Sequence, residues 1–134
     1  MTTALFVIGT CLITCQVFAR PQTPDNEADE EPYWMAAFEN WDADALLNNA
    51  YLVRAMVQCL AGDGPCNPTN QMVKDSLVPL MSTLCGRCDD KQKASYKYTV
   101  NKFRRMYETD FNRLLSMYDP NGEHWPKLKD FLES

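Results

Sequence analysis

Four cysteines in the middle of the chain are the residues best suited to chemistry. They follow the spacing C-x6-C-x18-C-x2-C at Cys59, Cys66, Cys85 and Cys88. Four thiolates could bind zinc, and a lone CxxC could act as a redox pair. Structural disulfides are the simpler interpretation, because an even number of cysteines is typical of small secreted domains. The residues alone leave all three possible pairings open.

Other patterns that would support catalysis are weak in this sequence. The chain has one histidine, His124, which lies beside a turn and is better interpreted as a surface or packing residue. It has no glycine-rich phosphate loop, no HExxH and no GxSxG. Asp42 and Asp44 could act as paired carboxylates in acid–base catalysis, but helix capping explains them more simply. We therefore expect no enzymatic activity, no cofactor and no metal site.

The first 32 residues have the composition of a targeting segment and a tail. Residues 4–18 are an apolar run too short for a comfortable membrane span, and the small residue Ala19 follows it. This pattern predicts a signal peptide over residues 1–19, and hence a secreted, extracellular protein without stable membrane insertion after cleavage. Residues 20–32 contain five carboxylates and three prolines, which predicts a solvated, disordered acidic tail.

The body that follows the tail is nearly neutral. From Tyr33 onward the chain has 12 lysines and arginines against 13 aspartates and glutamates, so the net charge of -5 comes mostly from the tail. Nucleic-acid binding needs a clustered cationic face, and a neutral body argues against such a partner. Residues 33–134 suit one domain, and a domain of about 100 residues gains from covalent cross-links.

Apolar residues repeat at helical spacing through this domain, and no segment alternates in the manner of a half-buried strand. The stripes are, in order, Leu46, Ala50, Val53, Val57 and Leu60; Val73, Leu77, Leu80 and Leu84; Tyr96, Val100, Phe103 and Tyr107; Phe111, Leu114, Leu115 and Tyr118; and Leu128, Phe131 and Leu132. Asn67-Pro68 is a favourable start for the second helix, and Pro79 should kink or split that helix. The predicted fold class is all-α.

Several motifs, read together with the cysteine spacing, resemble the insect chemosensory proteins, also called the OS-D family. They occur in order along the chain and are Phe38-Glu39-Asn40 with the following Asp42, Asp44, Leu46 and Leu47; Gly64-Pro65-Cys66; Lys91-Gln92-Lys93; and Tyr118-Asp119-Pro120-Asn121-Gly122. The resemblance covers about residues 33–131. It implies about six amphipathic helices around an apolar tunnel and two local disulfides, Cys59–Cys66 and Cys85–Cys88.

The function that the resemblance implies is that of a small secreted carrier. We expect a monomer that reversibly binds a small apolar ligand, such as a long-chain fatty acid, an alcohol or another semiochemical. The alternative is a secreted helical module that binds another protein, with roles in development or defence and with the acidic tail as the contact.

The candidate ligand-binding residues follow from this reading. The predicted apolar lining consists of Phe38, Trp41, Leu46, Met56, Val73, Leu77, Met81, Val100, Phe111, Leu115 and Tyr118. Glu39 and Gln92 are candidates for contacting a polar head group at the tunnel mouth. Periodicity alone would favour helices that simply pack on one another, so the cavity is an expectation that the resemblance supplies.

Overall fold

The computed structural model describes residues 31–134, so the predicted signal peptide and nearly all of the predicted acidic tail lie outside the described residues. Residues 31–134 form helices without any strand, which confirms the all-α fold class. The helices are α1 (Tyr33–Ala37), α2 (Ala43–Leu47), α3 (Ala50–Leu60), α4 (Pro68–Thr83), α5 (Asp90–Met106), α6 (Glu108–Tyr118) and α7 (Trp125–Glu133). Within these residues, none of the helices has the length and apolar character needed to cross a membrane.

The first predicted stripe belongs to two helices rather than one. Asn49 begins α3, because its side-chain oxygen accepts hydrogen bonds from the N–H groups of Tyr51 and Leu52 at 3.1 and 3.2 Å. Asp42 begins α2 in the same way, accepting from Ala45 N–H at 3.0 Å. Such caps satisfy donors that a helix start leaves without partners. The break at Asn49 and the short α1 bring the described total to seven helices, where about six were expected.

Helix α4 continues through Pro79, so the chain does not split there. Proline has no N–H to donate to the carbonyl four residues earlier. Downstream, the hydroxyls of Ser82 and Thr83 donate to the Pro79 carbonyl at 3.3 and 2.7 Å. The start of the helix is as predicted, since Asn67 accepts from Asn70 N–H at 2.7 Å. One long helix therefore carries both the apolar stripe of α4 and its proline.

Both disulfides are local. Cys59–Cys66 joins the end of α3 to the residue before the α4 cap, with 4.9 Å between the Cα atoms. Cys85–Cys88 closes the turn between α4 and α5, with 5.2 Å between the Cα atoms. These are the pairings that the resemblance implied. In the second turn Leu84 and Cys85 have φ angles of 54° and 58°, a left-handed conformation that residues other than glycine seldom adopt.

Two tyrosine hydroxyls tie the C-terminal helices to the N-terminal ones. Tyr107, at the corner between α5 and α6, donates to the carbonyl of Leu47 at 2.8 Å. Tyr118, at the end of α6, donates to the carbonyl of Leu60 at 2.6 Å. Leu47 and Leu60 are the last residues of α2 and α3, and helix ends leave such carbonyls without partners inside the helix. The two bonds therefore fix α5 and α6 against the ends of α2 and α3.

The last helix is held at both ends. The buried carboxylate of Asp119 accepts from the N–H groups of residues 123–125 at 2.9–3.2 Å, which caps the start of α7. Near the other end, Asn101 of α5 donates to the carbonyl of Leu132 at 2.9 Å. Because its ends are bonded to residues on neighbouring segments, α7 has a defined place against α5.

The core consists of three groups of buried side chains. The aliphatic core group comprises Ala43, Leu47, Val53, Met56, Val57, Leu60 and Leu114. The tryptophan–methionine core group comprises Trp34, Met35, Met72, Leu80 and Cys85. The third core group comprises Met81, Leu128 and Leu132. Partly buried aromatic side chains bridge these groups: Trp41 packs against the first two, and Tyr96 against the second and third.

Candidate ligand-binding cavity

An apolar cavity of about 170 Å³ lies among the three core groups. Each helix of residues 31–134 contributes at least one side chain to its lining, and α4 and α5 contribute the most. A single buried water needs roughly 10–15 Å³ of such space. The cavity therefore offers room for a chain of several heavy atoms.

Nearly all of the predicted ligand-binding residues line this cavity. They are Phe38, Trp41, Leu46, Met56, Val73, Leu77, Met81, Gln92, Val100, Phe111, Leu115 and Tyr118. Glu39 is the exception and lies in an adjoining polar depression. The last helix, whose role the sequence did not indicate, contributes Leu128. The structure places these residues around the cavity, and their contact with a ligand remains a prediction.

The polar depression adjoins one part of the cavity. The two share Phe38, Trp41, Gln92 and Ser95. The remaining residues of the depression are Glu39, Asn40, Asp89 and Lys91. Since the shared residues border both an apolar and a charged space, we call this depression the mouth of the cavity.

A capping box fixes the start of α5 at the mouth. The Asp89 carboxylate accepts from Gln92 N–H at 2.7 Å, and the Gln92 side-chain oxygen accepts from Asp89 N–H at 2.9 Å. This reciprocal pair satisfies two backbone donors. Because the oxygen of the Gln92 amide is engaged in the cap, its NH2 group keeps two donors at the border between mouth and cavity.

The sequence predicted Gln92 as a head-group contact and placed Tyr96 on an apolar stripe, but Ser95 and Thr99, which complete a polar stripe on α5, were missed. Gln92, Ser95, Tyr96 and Thr99 line the cavity at positions i, i+3, i+4 and i+7, which place them on one face of the helix. The face continues with apolar residues at Val100 and Phe103. A search for apolar residues at helical spacing passes over such a stripe. The same spacing, applied to hydroxyl and amide side chains, would have found it.

Tyr96 and Ser95 differ from the other hydroxyl-bearing residues that line the cavity, because neither hydroxyl has a hydrogen-bond partner among residues 31–134. The hydroxyls of Ser76, Thr99 and Tyr118 each donate to a backbone carbonyl, at 2.6–2.8 Å. Among residues 31–134, the Tyr96 hydroxyl has no such partner, and its ring lies against Phe131 with 6.2 Å between centroids. Burial raises the pKa of Tyr96 to about 12, because a phenolate would lack water among apolar side chains.

A buried polar group without a partner lies on Trp41, which also belongs to the cavity lining. The indole N–H of Trp41 is buried and finds no acceptor in the described part of the chain. The ring of Phe38 packs edge-on against this indole, with centroids 5.4 Å apart. Leaving a buried donor unbonded costs about 1–3 kcal/mol. Trp41 and Tyr96 both pack against the tryptophan–methionine core group.

The cavity lining in residues 31–134 contains no charged side chain. Two cations of α5 are engaged outside the cavity: Lys102 pairs with Asp44 at 2.5 Å, and the Lys97 ammonium lies 4.6 Å from the centre of the Phe131 ring. Charges appear first at the mouth, where Glu39 and Asp89 accompany Lys91. The same described residues contain no cluster of three His, Cys, Asp or Glu side chains that could hold a metal ion.

The fold and the cavity define a class of small helical proteins with a hollow apolar interior and two local disulfides. The chain belongs to the insect pheromone-binding family A10/OS-D, whose family model matches residues 34–126. The resemblance that the cysteine spacing and the motifs indicated is thereby confirmed.

Named relatives come from two insects. The chain is 30% identical over 133 residues to the candidate odorant-binding protein A10 of Drosophila melanogaster, covering 95% of this chain and 86% of that protein. It is 29% identical over 101 residues to allergen Tha p 1 of Thaumetopoea pityocampa, covering 72% and 77%. It is 26% identical over 121 residues to ejaculatory bulb-specific protein 3 of Drosophila melanogaster, covering 90% and 84%.

A solved structure shares the fold. It is a chemosensory protein in complex with bromo-dodecanol, and the alignment has a TM-score of 0.62 and 24% sequence identity. The alignment covers 72% of this chain and 97% of the other.

Proposed function

We propose that this protein is a carrier that reversibly binds a long-chain apolar ligand in its cavity and performs no chemistry on it. The observation that carries the proposal is the apolar cavity of about 170 Å³ to which every helix of the described chain contributes. A solved structure with the same fold is a complex with bromo-dodecanol, and a protein of similar sequence is named as an odorant-binding protein. Both names agree with a ligand of this kind.

Apolar surface removed from water would drive binding. Each buried methylene contributes about 0.8 kcal/mol, so ten methylenes would contribute roughly 8 kcal/mol. Lost translational and rotational freedom takes back several kcal/mol. A dissociation constant in the micromolar range corresponds to about -8 kcal/mol. We expect affinities of that order or weaker for chains of ten to twelve carbons.

Displacement of a fluorescent apolar probe by dodecan-1-ol tests the proposal. Val73→Phe would add a ring to a position that lines the cavity and should weaken binding at least tenfold. Val78→Phe is the matched control, because Val78 lies on the same helix but is 48% exposed and outside the lining. No displacement from the unmodified protein at tens of micromolar ligand would contradict the proposal.

Secretion and monomeric state belong to the same proposal, and the N-terminal sequence supports the first. A signal peptide over residues 1–19 predicts a mature protein that begins at Arg20 and has both cystines formed. Intact mass under gentle conditions would report cleavage, disulfides, bound lipid and subunit number together. Deleting residues 20–32 should leave ligand affinity unchanged. If that deletion instead abolished binding of a partner protein, the interaction-module alternative would be favoured.

A further inference from the structure

We propose that the Tyr96 hydroxyl is the polar anchor of the cavity, and that the cavity selects long-chain ligands whose polar group is uncharged, such as alcohols and esters, over fatty-acid anions. This inference rests on the carrier function proposed above and names the ligand class for it.

The first argument is the missing partner of Tyr96. The Tyr96 hydroxyl is not fully enclosed by protein, because the buried side-chain polar atoms of the described residues that lack a partner belong to Trp41 and Arg104. Tyr118 shows the ordinary solution in the same cavity, since its hydroxyl donates to the carbonyl of Leu60 at 2.6 Å. Tyr96 lines the cavity with no protein acceptor or donor in residues 31–134. An oxygen atom of a ligand would supply the missing hydrogen-bond partner of Tyr96, because a phenol can both donate and accept.

The second argument is the electrostatic character of the site. A carboxylate beside Tyr96 would be buried without a cation, because no lysine, arginine or histidine of the described residues lines the cavity. Burying an unpaired charge costs far more than burying an uncharged hydroxyl or ester. An anion could instead remain at the mouth near Lys91, but Glu39 and Asp89 share that depression and would oppose it.

The third argument is the order of side chains along α5. Gln92 and Ser95 border the mouth, Tyr96 follows, and Val100 and Phe103 continue the same face into the apolar part. At 1.5 Å per residue, Phe103 lies about 10 Å along the helix axis from Tyr96. A polar group at Tyr96 would therefore leave an alkyl chain on apolar side chains.

The experiment measures probe displacement by three twelve-carbon ligands at pH 8: dodecan-1-ol, dodecyl acetate and dodecanoate. With the unmodified protein, the alcohol and the acetate should bind at least roughly tenfold more tightly than dodecanoate. Tyr96→Phe removes one hydroxyl and should weaken binding of the alcohol and the acetate roughly three- to tenfold, the range of one net hydrogen bond. Dodecanoate binding should change less than twofold.

Tyr98→Phe is the matched control, because it removes a tyrosine hydroxyl on the same helix from a residue that is 48% exposed and lies outside the cavity lining. It should leave the preference for the alcohol over dodecanoate unchanged. The comparison of ligands on the unmodified protein does not depend on how well either variant folds. Equal affinity for dodecanol and dodecanoate would overturn the proposed class. An unchanged dodecanol affinity in a folded Tyr96→Phe protein would overturn the role of Tyr96. Failure of every ligand to displace the probe would refute the carrier function itself.

Discussion

Two sides of the cavity differ in how they are built. The aliphatic core group lies on α2, α3 and α6 and includes Leu47 and Val53, each 1% exposed. Side-chain caps begin both α2 and α3. The tryptophan–methionine core group lies on α1 and α4 and at Cys85. Its α1 has five residues and no side-chain cap.

We call the side of the cavity formed by the aliphatic core group the fixed side, and the side formed by the tryptophan–methionine core group the adaptable side. Small branched side chains have few rotamers and pack in one way, whereas methionine has three rotatable bonds and fills irregular space. The tryptophan–methionine core group has two methionines among five residues, whereas the aliphatic core group has one, Met56, among seven. Trp34 and Met35 line the cavity from α1, a helix of five residues, and Met81 of the third core group lines it from α4. We therefore expect ligands of different shape to be accommodated mainly on the side of α1 and α4.

The largest expected effect is on the free energy of unfolding. It compares one substitution in the aliphatic core group with one in the tryptophan–methionine core group. Leu47→Ala should lower the free energy of unfolding by about 4 kcal/mol, and Met72→Ala by about 2 kcal/mol, the upper and lower parts of the range for such changes. The reason is that a capped, closely packed environment cannot close over a void as readily as a flexible one. Urea denaturation measures both. Equal losses would remove the distinction between the two sides.

An intermediate effect uses alkaline pH to probe the apolar character around Tyr96, which packs on the adaptable side. Its pKa is raised to about 12 in the folded protein, whereas an unfolded tyrosine titrates near 10. The folded state therefore keeps the proton longer. The contribution of Tyr96 to the free energy of unfolding is therefore fully present below about pH 10. It falls by about 2–3 kcal/mol at most as the pH rises towards 12.

The measurement for this effect is the unfolding free energy of the unmodified protein minus that of Tyr96→Phe, followed from pH 9 to pH 12. Other tyrosines and lysines titrate in both proteins and largely cancel in the difference. A difference that did not change with pH would mean that Tyr96 is solvated, and the adaptable side would then be open to water.

The smallest expected effect on stability comes from the disulfides. Replacing either cystine by two alanines should cost about 2 kcal/mol, because the closed loops are short. Their effects on binding should differ. Cys85 and Cys88 line the cavity, whereas Cys59 and Cys66 lie outside its lining. Loss of Cys85–Cys88 should alter probe affinity, and loss of Cys59–Cys66 should not. Similar binding losses in both variants would indicate a general loosening of the fold.

Local chemistry accounts for what the sequence predicted correctly. The start of α4 at Asn67-Pro68 depends on one side chain and one backbone angle, and both act over a few residues. The break before α3 was missed although its cause is equally local. Asn49 interrupts an apolar stripe that remains in phase, so periodicity alone favoured one continuous helix.

The cavity itself could not be predicted from the residues. Apolar stripes face one another both in a solid core and around a hollow, and the difference lies in helix separations that long-range contacts set. Tyr96 illustrates the limit. Its place on an apolar stripe followed from spacing, but the missing partner of its hydroxyl is a property of the assembled tertiary structure.

The uncharged lining has a practical consequence for any study of occupancy. Below about pH 10 none of the described lining side chains gains or loses a proton in its ordinary range. Protein molecules that hold an uncharged ligand and ligand-free molecules would therefore migrate together in electrophoresis and elute together from an ion exchanger. The indoles of Trp34 and Trp41, which face the hollow, offer an optical reporter in their place.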